Sequence, residues 1–382
     1  MHRFVRPLLA ALLTAAVTAV PSLAEEFTVA SYNIENFHTN FSAFHMKRDA
    51  RKNPITDPAE KAKQDALISA IDLQNQEDQW EIAATILDPA FFPDILMIQE
   101  GPLQSDLEYF NRRWLEGKYE TVLQLPTTIH PDRPQTLAVM LKPGFKIIDK
   151  KDQYYLEEDT VPNGRNNRLF ARGPSFLKVQ TPSGYEFWVG NTHQKSKGIR
   201  LPPVAAVTQP TTQAVEDDDA AAVPVEAASQ PESESRSELR ARMEKEANDW
   251  RMREAVRTHA IIKEIEAEGP TDVMIVGDMN DDWGMDKNEK LAGKDGIAEL
   301  VGPPEAGLFL VTQPLIDQKA ISYGGYWRPR YRSLIDHAVA TNSMKDQIVA
   351  VSVFNTPMAA VASDHYPVIV KIKSDPVPAA GN

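Results

Sequence analysis

The chain has 382 residues, with 54 acidic and 41 basic side chains and no cysteine, so its formal net charge is −13. The absence of cysteine excludes a disulfide scaffold, a zinc finger built on thiolates and a cysteine nucleophile. An apolar fraction of 42% and a charged fraction of 25% are typical of a globular protein. The negative charge argues against a generally basic nucleic-acid-binding surface, but it is compatible with a local basic groove.

The first 24 residues have the pattern of a secretory signal peptide. Two arginines precede an apolar run over residues 7–20, which is too short to span a bilayer comfortably, and small residues lead up to Ala24. We therefore expect cleavage after Ala24, export to the periplasm or the medium, and a mature charge of about −15. The alternative is an uncleaved N-terminal anchor. No stable membrane insertion of the mature chain and no obligate protein partner are expected.

Short runs rich in valine and isoleucine alternate with helical patterns along residues 25–382. The apolar runs predict strands over Phe27–Ser31, Ile95–Ile98, Thr136–Leu141, Ser175–Val179, Glu186–Val189, Val273–Val276, Leu334–Ala340, Ile348–Phe354 and Val368–Ile372. Apolar residues at helical spacing predict helices over Glu60–Leu87 and Ser235–Glu268, and Ser235 with Glu238 forms a capping box. Strands mixed with helices predict one layered α/β or α+β domain.

Two segments have the composition of insertions. Residues 201–235 contain five prolines, eight alanines and seven acidic residues, but no basic or aromatic side chain. Such a segment buries too little apolar surface to offset the entropy of ordering it, so we predict a disordered acidic insert that acts as a solubilising spacer. A regulatory or substrate-mimicking loop is the alternative. The polar residues 38–57 form the second candidate insertion.

Polar side chains cluster in six segments at the ends of predicted strands. The segments are Ser31-Tyr-Asn-Ile-Glu-Asn36, Gln99-Glu100, Asn191-Thr-His-Gln-Lys-Ser-Lys197, Asp278-Met-Asn-Asp-Asp282, Asp336-His337 and Ser363-Asp-His365. Each segment alone is more typical of a helix cap, a turn or a structural histidine than of a catalytic site. Together they place carboxylates, amides and histidines where a packed scaffold holds side chains rigidly at one rim of a sheet. The pattern therefore predicts an active site built from several strands.

These motifs, in this order, resemble those of the endonuclease/exonuclease/phosphatase superfamily. That group includes pancreatic-type deoxyribonucleases, exonuclease III-type repair nucleases, inositol-polyphosphate 5-phosphatases and bacterial sphingomyelinases. The resemblance covers residues 27–372 apart from the two insertions, and its most specific parts are Gly277-Asp-Met-Asn280 and Ser363-Asp-His365. It implies a deoxyribonuclease-like α/β fold, which is a four-layer sandwich of two mixed β-sheets flanked by helices with the site at one end.

The resemblance also implies roles for individual residues. Glu100 is implied to be the main metal ligand, with Asn33 and Asp364 close to the same ion or its waters. His365 resembles the histidine that contacts the scissile phosphate, and Asp278 resembles the aspartate that orients or deprotonates the attacking water.

The remaining implied roles surround the same phosphate. Asn280 resembles a phosphate-binding partner of the water-orienting aspartate, and His193 resembles a second phosphate-side histidine to which Asp336 hydrogen-bonds. His337 stands where the family often has an aromatic, so we expect it to be structural. Three further acids are expected to be turn or surface residues, although a second metal could use one of them: Glu35, Asp281 and Asp282.

The residue types independently favour a hard divalent cation. Oxygen ligands without thiolates suit Mg²⁺ or Mn²⁺ and would also accept Ca²⁺, and no His-Glu-x-x-His motif for zinc is present. An aspartate can activate the water of a phosphodiester hydrolysis, and histidine and asparagine donors can stabilise the oxyanion charge. A seryl nucleophile and a phosphate-binding glycine loop are disfavoured because their motifs are absent.

Three local features favour a nucleic acid as the substrate. A basic segment follows Asn191-Thr-His, an aromatic and basic loop covers residues 323–332, and an arginine-rich loop precedes Arg172. A solvated loop and an aromatic corner packed on the sheet are the alternatives for the first two. The candidate substrate contacts are Arg172, Lys195, Lys197, Trp327, Arg328, Arg330 and Arg332.

The sequence therefore predicts an exported, metal-dependent phosphodiester hydrolase, and a nuclease fits it best. A sphingomyelinase-like phospholipase C would want exposed apolar tips that enter a bilayer surface, and no long apolar hairpin is present. A phosphatase for small phosphate esters is a third reading. A non-catalytic binding module is disfavoured by the complete set of polar site residues.

Overall fold

The structure is a computed structural model that describes residues 24–35, 37, 54–126, 135–161, 167–170, 172–198, 201, 235–284, 295–324 and 332–374. The predicted signal peptide apart from Ala24, the acidic insert apart from its two end residues, and most of residues 38–57 lie outside the described residues. The candidate substrate contacts Trp327, Arg328 and Arg330 lie outside them as well. Among the described helices, none combines the length and apolar character needed to cross a membrane.

Two six-stranded sheets form the centre of the protein. Sheet A contains, in spatial order, β11 (Ile348–Val353), β12 (Val368–Lys373), β1 (Glu26–Asn33), β2 (Ile95–Gly101), β4 (Thr136–Leu141) and β3 (Thr121–Leu125). Sheet B contains, in spatial order, β5 (Lys146–Lys151), β6 (Arg172–Gln180), β7 (Glu186–His193), β8 (Val273–Asp278), β10 (Asp336–Thr341) and β9 (Leu308–Leu310). Both sheets are mixed, because β1 and β2 are parallel, as are β7 and β8, and the other pairs are antiparallel.

Helices cover the outer face of each sheet. They are α1 (Pro58–Ile86), α2 (Gln104–Arg113), α3 (Arg236–Ala267), α4 (Gly296–Val301), α5 (Gln313–Asp317) and α6 (Pro357–Ala362), with 3-10 turns at Gln153–Leu156, Pro304–Ala306 and Asn342–Met344. The side chain of Asp57 caps α1, and the predicted capping box of Ser235 and Glu238 begins α3. Caps of this kind satisfy backbone N–H groups that the first helical turn leaves without partners.

Three apolar layers hold the sandwich together. The inner faces of the sheets meet in one core, where Val29 of sheet A and Val189 of sheet B both pack. The outer face of sheet A packs against α1 and α2, as Ile98 does beside Ile86. The outer face of sheet B packs against α3 and α4. Because the central strands are covered on both faces, their sequences read as nearly continuous apolar runs.

The predicted four-layer α/β fold is confirmed. All nine predicted strands and both predicted helices are present, with ends that differ by a few residues. Three strands, β3, β5 and β9, were not predicted from the sequence. The strand β5 has mostly exposed and charged residues and lies at the edge of sheet B, so it carries little of the apolar pattern that marks a buried strand.

Candidate active site

Four side chains with catalytic chemistry form a continuous row across sheet B. The strand register pairs Arg172 with His193, His193 with Asp278, and Asp278 with Asp336. The row lies where β7 and β8 end and where β6 and β10 begin. All four residues are buried, so the packed sheet fixes where their side chains lie.

Gly277 allows β7 and β8 to approach closely just before Asp278. Its φ is 156°, and a Cβ at this position would lie 2.0 Å from the carbonyl oxygen of Thr192. Any other residue type would force the two strands apart. The glycine of the Gly-Asp-Met-Asn motif therefore sets the separation between His193 and Asp278.

Sheet A contributes Asn33 and Glu100 to the same place. The side-chain nitrogen Nδ2 of Asn33 donates to Oδ2 of Asp278 at 3.0 Å and to Oε1 of Glu100 at 3.4 Å. Asn33 thus joins two carboxylates that belong to different sheets. The site lies where the two sheets meet, which explains why its residues come from segments far apart in the sequence.

Two buried amides beneath the site connect the sheets and were given no role by the sequence analysis. The side chain of Gln99 accepts from Oγ of Ser31 at 3.2 Å and donates to Oδ1 of Asn191 at 2.7 Å. Nδ2 of Asn191 donates to the backbone carbonyls of Ile98 and Ala138 at 2.9 and 3.0 Å. Both amides are fully buried, and each begins one of the six polar segments at the strand ends. A buried amide must find hydrogen-bond partners, so an amide at the end of an apolar run is the signal that marks these two residues.

Asp278 lies between two imidazoles. Its Oδ2 is 3.2 Å from Nε2 of His193 and 3.6 Å from Nε2 of His365. Burial alone would raise the pKa of Asp278, but the two histidines outweigh burial and hold the pKa below its usual range. Asp278 is therefore ionised at neutral pH, with its charge shared between two imidazole donors.

Asp336 is the partner of His365, and the prediction that it hydrogen-bonds His193 is wrong. Its Oδ2 lies 2.8 Å from Nδ1 of His365, whereas His193 faces Asp278 and lies 3.8 Å from Oε1 of Glu100. Burial raises the pKa of Asp336 to about 6, opposed by the neighbouring His365. Burial alone would lower the pKa of His365, but Asp336 and Asp278 outweigh burial and raise it well above 6.5. The pair holds His365 with its Nε2 directed towards Asp278.

Neighbouring residues fix both members of this pair. Oγ of Ser322 accepts from the backbone N–H groups of Ile335 and Asp336, each at 3.1 Å. The ring of Tyr323 packs on the His365 ring, with centroids 4.9 Å apart and planes at 53°. Tyr323 begins the aromatic and basic loop of residues 323–332, and its contact with His365 was not predicted from the sequence.

Asp364 is held in a corner that joins β1 to the turn before β12. Oγ of Ser363 donates to the backbone carbonyl of Asn33 at 2.8 Å and accepts from the backbone N–H of His365 at 3.1 Å. The backbone N–H of Asp364 donates to Oε2 of Glu35 at 2.9 Å. Glu35 is therefore not a simple surface residue, because its carboxylate positions the backbone of a predicted metal ligand.

Asn280 and its neighbours have backbone conformations that non-glycine residues rarely adopt. The φ angles are 39° at Glu35, 55° at Glu100 and 52° at Asn280. The backbone N–H of Asn280 donates to Oδ1 of Asp278 at 2.9 Å, and its Nδ2 donates to the backbone carbonyl of Gln194 at 3.1 Å. Backbone strain of this kind clusters at functional sites, where the surrounding contacts maintain it.

The basic residues predicted to contact substrate have different positions. Arg172 lies in the site, with Nη1 3.7 Å from Oε1 of Glu100, and Arg332 is exposed. Lys195 is buried and donates to the backbone carbonyl of Ser196 at 2.8 Å. Lys197 pairs with a buried acid described below. Both ammonium groups thus have partners within the protein.

The donor set at Glu100 fits a hard divalent cation. Its Oε1 has nitrogen neighbours at 3.4–3.8 Å, which is longer than the 2.7–2.9 Å of a strong charge-assisted hydrogen bond. Glu100 and Asp364 offer carboxylate oxygens of the kind that Mg²⁺ and Mn²⁺ prefer, whereas Asn33 turns its Nδ2 towards Glu100 and its Oδ1 accepts from the backbone N–H of Glu35. Another group, Asp278, Asp336 and His365, has ligand atoms within 4.8 Å of one another. An ion there would compete with the bond between Asp336 and His365, so we assign that group to orientation of the imidazole.

Comparison with known proteins identifies the fold. No protein-family model matches the chain, and no curated protein matches it. Among solved structures, an endonuclease/exonuclease/phosphatase family protein from Bacteroides thetaiotaomicron is 15% identical and aligns with a TM-score of 0.52, over 92% of this chain and 96% of that chain. The fold is therefore that of this family of proteins, and the resemblance seen in the motifs is confirmed at the level of the fold.

Two other solved structures align over a similar share of the chain. A truncated TDP2 from Caenorhabditis elegans is 12% identical, with a TM-score of 0.48 over 91% of this chain and 98% of that chain. A mannosyl-6-phosphatase from Bacteroides thetaiotaomicron is 14% identical, with a TM-score of 0.48 over 92% of this chain and 99% of that chain. Since one fold hosts many substrates, the substrate must be argued from the site.

Proposed function

We propose that the chain is a metal-dependent phosphodiester hydrolase and that its substrate is nucleic acid, cleaved outside the cytoplasm. The observation that carries the proposal is the position of Asp278. This ionised carboxylate lies between two imidazoles at 3.2 and 3.6 Å, in a row that also contains Arg172 and beside the oxygen donors at Glu100. Imidazole and guanidinium groups can bind the phosphate of a phosphate ester, and a carboxylate beside them can align the attacking water.

Asp278 is suited to orient the attacking water. A carboxylate whose pKa is held low is a weak base, so its contribution lies in accepting a hydrogen bond from the water and aligning it with the phosphorus. Its second oxygen, Oδ1, is fixed by the backbone N–H of Asn280. Oδ2 accepts from Nδ2 of Asn33 and lies between the two histidines, so both oxygens of this carboxylate are held in place where the water would be aligned.

His365 is suited to donate a proton or a hydrogen bond to a phosphoryl or leaving oxygen. Its raised pKa keeps the ring in the imidazolium form at neutral pH, and Asp336 holds Nδ1 so that Nε2 is the donating atom. His193 and Arg172 add further donors along the same row. Donors fixed in advance at the place where negative charge develops lower the barrier of hydrolysis, by roughly 2.7–4 kcal/mol for a single oxyanion-hole donor.

A divalent cation would be held by Glu100, with Asp364 and Asn33 alongside. When bound, it would supply neutralisation of charge on the phosphoryl oxygens. The Asn33 amide lies between Glu100 and Asp278 and donates a hydrogen bond to each carboxylate.

The support for nucleic acid and for export comes mainly from the sequence. The N-terminal 24 residues have the pattern of a signal peptide, and residues 323–332 combine three arginines with four aromatic side chains next to Asp336. Arg172 in the row and the exposed Arg332 are the described members of the proposed contact set. A phosphodiester that carries a polyanionic backbone would use these charges, whereas a small ester would not need them.

The experiment is an assay of purified residues 25–382 on plasmid DNA, single-stranded RNA, sphingomyelin vesicles and small phosphate monoesters, each with Mg²⁺, with Mn²⁺ and with EDTA. We expect metal-dependent nicking of the plasmid or cleavage of the RNA, lost in Glu100→Gln and His365→Ala. His259→Gln is the matched control, because His259 lies on α3 with Nδ1 2.9 Å from the Leu300 carbonyl. Release of phosphocholine alone, or of phosphate from a monoester alone, would refute the nuclease assignment, and inactivity on every substrate would refute the hydrolase.

A further inference from the structure

Asp281 directly follows the Gly-Asp-Met-Asn motif, and the expectation that it is a turn or surface residue is wrong. Its side chain is fully buried. A buried carboxylate destabilises the fold unless cations and hydrogen-bond donors compensate its charge. Partners of the Asp281 carboxylate come from three different parts of the structure.

Nitrogen atoms lie close to both carboxylate oxygens and to the backbone carbonyl of Asp281. Oδ1 is 2.7 Å from Nζ of Lys197, and Oδ2 accepts from the backbone N–H of Gly296 at 3.1 Å with Nε of Arg251 at 3.5 Å. The backbone carbonyl of Asp281 lies 3.1 Å from Nε2 of His337. The side chain of Asp281 thus joins the segment after β7, α3 and the start of α4, and its backbone carbonyl contacts β10.

Lys197, the partner of Asp281, belongs to the segment of residues 193–197, which begins with His193. Two further contacts from α3 fix its backbone: the N–H of Lys195 donates to Oε2 of the buried Glu254 at 2.7 Å, and Nη1 of Arg251 donates to the Lys195 carbonyl at 3.4 Å. The preceding residue bonds to the Asp278 carbonyl through its own N–H at 2.9 Å. The chain between His193 and Lys197 is therefore held on both sides.

We propose that Asp281 is a positioning residue for the reaction, and that Lys197 is its partner and not a phosphate contact. Through Lys197, Asp281 fixes the His193 segment against the turn of Asp278 and Asn280, so the distance between His193 and Asp278 depends on it. This inference rests on the proposed phosphodiester hydrolysis, and it reverses the sequence-based role of Lys197. An ion pair with a buried carboxylate that joins these two segments fixes their geometry, whereas a lysine exposed in front of the site would act on the substrate through its charge.

The test compares Asp281→Asn, Lys197→Met and the double variant. The matched control is Asp94→Asn, since Asp94 also pairs with a lysine, at 3.1 Å from Nζ of Lys142, and accepts from the backbone N–H of Thr28. Asp94 precedes β2, at the strand end opposite Glu100. For each variant, kcat and KM are measured on DNA and on a small chromogenic phosphodiester, together with the melting temperature and the salt dependence of KM.

We expect Asp281→Asn and Lys197→Met to lower kcat by about 10- to 100-fold on both substrates, because a displacement of about 1 Å is sufficient for such a loss. KM should stay within about twofold, and the double variant should be no worse than the worse single variant, as expected for coupled residues. Asp94→Asn should lower the melting temperature without changing kcat. A merely structural role for Asp281 would give the same result as this control.

Gly296→Ala is a second route to the same displacement and keeps the charge. A Cβ at Gly296 would lie 2.4 Å from Oδ2 of Asp281, so the carboxylate must move. We expect its kcat to fall as in Asp281→Asn. This variant keeps the proposal testable if Asp281→Asn does not fold.

Two results would overturn the inference while the proposed function stands. One is that Lys197→Met raises KM on DNA and lowers the slope of log KM against log salt by about one, with kcat unchanged, since that is the signature of a phosphate contact. The other is that the melting-temperature effects of the two single variants add in the double variant, which would mean that the residues are not coupled. Inactivity of the wild-type chain on every phosphoester would instead refute the proposed function, and the melting-temperature cycle would still report on the pair.

Discussion

Replacing His337 with glutamine should make the stability of the fold less sensitive to acid. His337 is fully buried on β10, and its Nε2 faces the backbone carbonyl of Asp281, which can only accept. Nε2 therefore carries the proton, and in the neutral ring Nδ1 accepts from the hydroxyl of Thr312 at 2.8 Å. Glutamine offers an amide donor for the carbonyl but does not titrate.

The size of the effect follows from the pKa of His337. Burial lowers this pKa from its ordinary value of 6.5 to about 4, opposed by the hydrogen bond to Asp281. The imidazole of His337 binds a proton near pH 6.5 in the unfolded chain, but only near pH 4 in the folded chain. The stability that the neutral ring contributes is therefore fully present above about pH 6.5 and is lost as the pH falls from about 6.5 to about 4. The loss is about 2 kcal/mol between pH 7 and pH 5 and about 3 kcal/mol by pH 4.

The assay is equilibrium unfolding in urea, with the unfolding free energy of the wild type and of His337→Gln measured at pH 7, 6, 5 and 4. Other titrating groups, Asp336 among them, contribute to both curves, so the difference between the curves isolates His337. We expect the wild type to lose about 2 kcal/mol more than the variant between pH 7 and pH 5. Parallel curves, within about 0.5 kcal/mol, would refute the assignment of a buried neutral imidazole.

Three further predictions concern the row across sheet B and the glycine behind it. Asp336→Asn should lower kcat by about 10²- to 10⁴-fold, and it should lower the pKa of His365 because Nδ1 loses a carboxylate partner. NMR titration of the His365 ring measures this pKa, and an unchanged titration would contradict the pairing. Arg172→Met should raise KM on DNA and lower the slope of log KM against log salt by about one, because the guanidinium is expected to contact one phosphate. A change in melting temperature alone would make Arg172 structural. Gly277→Ala should lower the unfolding free energy by about 2–4 kcal/mol in urea, and an unaltered value would mean that β7 and β8 separate without cost.

The sequence predicted the central strands better than the edges of the sheets. A strand covered on both faces must be apolar throughout, so runs such as the one in β8 are visible without any knowledge of partners. The edge strands β3 and β5 each pair with one neighbour; β3 is mostly half-buried and β5 is mostly exposed and charged, so neither has a continuous buried apolar run. The start of β6 was missed for a different reason: Pro174 breaks the pattern, and the strand continues past it through an irregularity between Arg172 and Ser175.

The same distinction applies to the site. Residue types at strand ends marked Glu100, Asp278 and His365 as candidates, because strand ends are visible in the sequence. The pairing of Asp336 with His365 depends on how the turn before β12 crosses the start of β10, and no local pattern encodes that crossing. Asp281 was misread because an acid after asparagine resembles a turn, and its burial arises only when α3 and α4 pack against it.

The strained residues explain how the site keeps its geometry before a substrate binds. Glu35, Glu100 and Asn280 each have a positive φ, at a cost of about 1–3 kcal/mol per residue. Asn280 is held by hydrogen bonds of its backbone and its side chain, and Glu35 by a bond from its own N–H to Oδ1 of Asn33 at 3.0 Å and by the N–H of Asp364. Each strained residue thus lies between segments from different strands, so relief of the strain requires several contacts to break together. A site built in this way is rigid, which is what alignment of a water molecule with a phosphate requires.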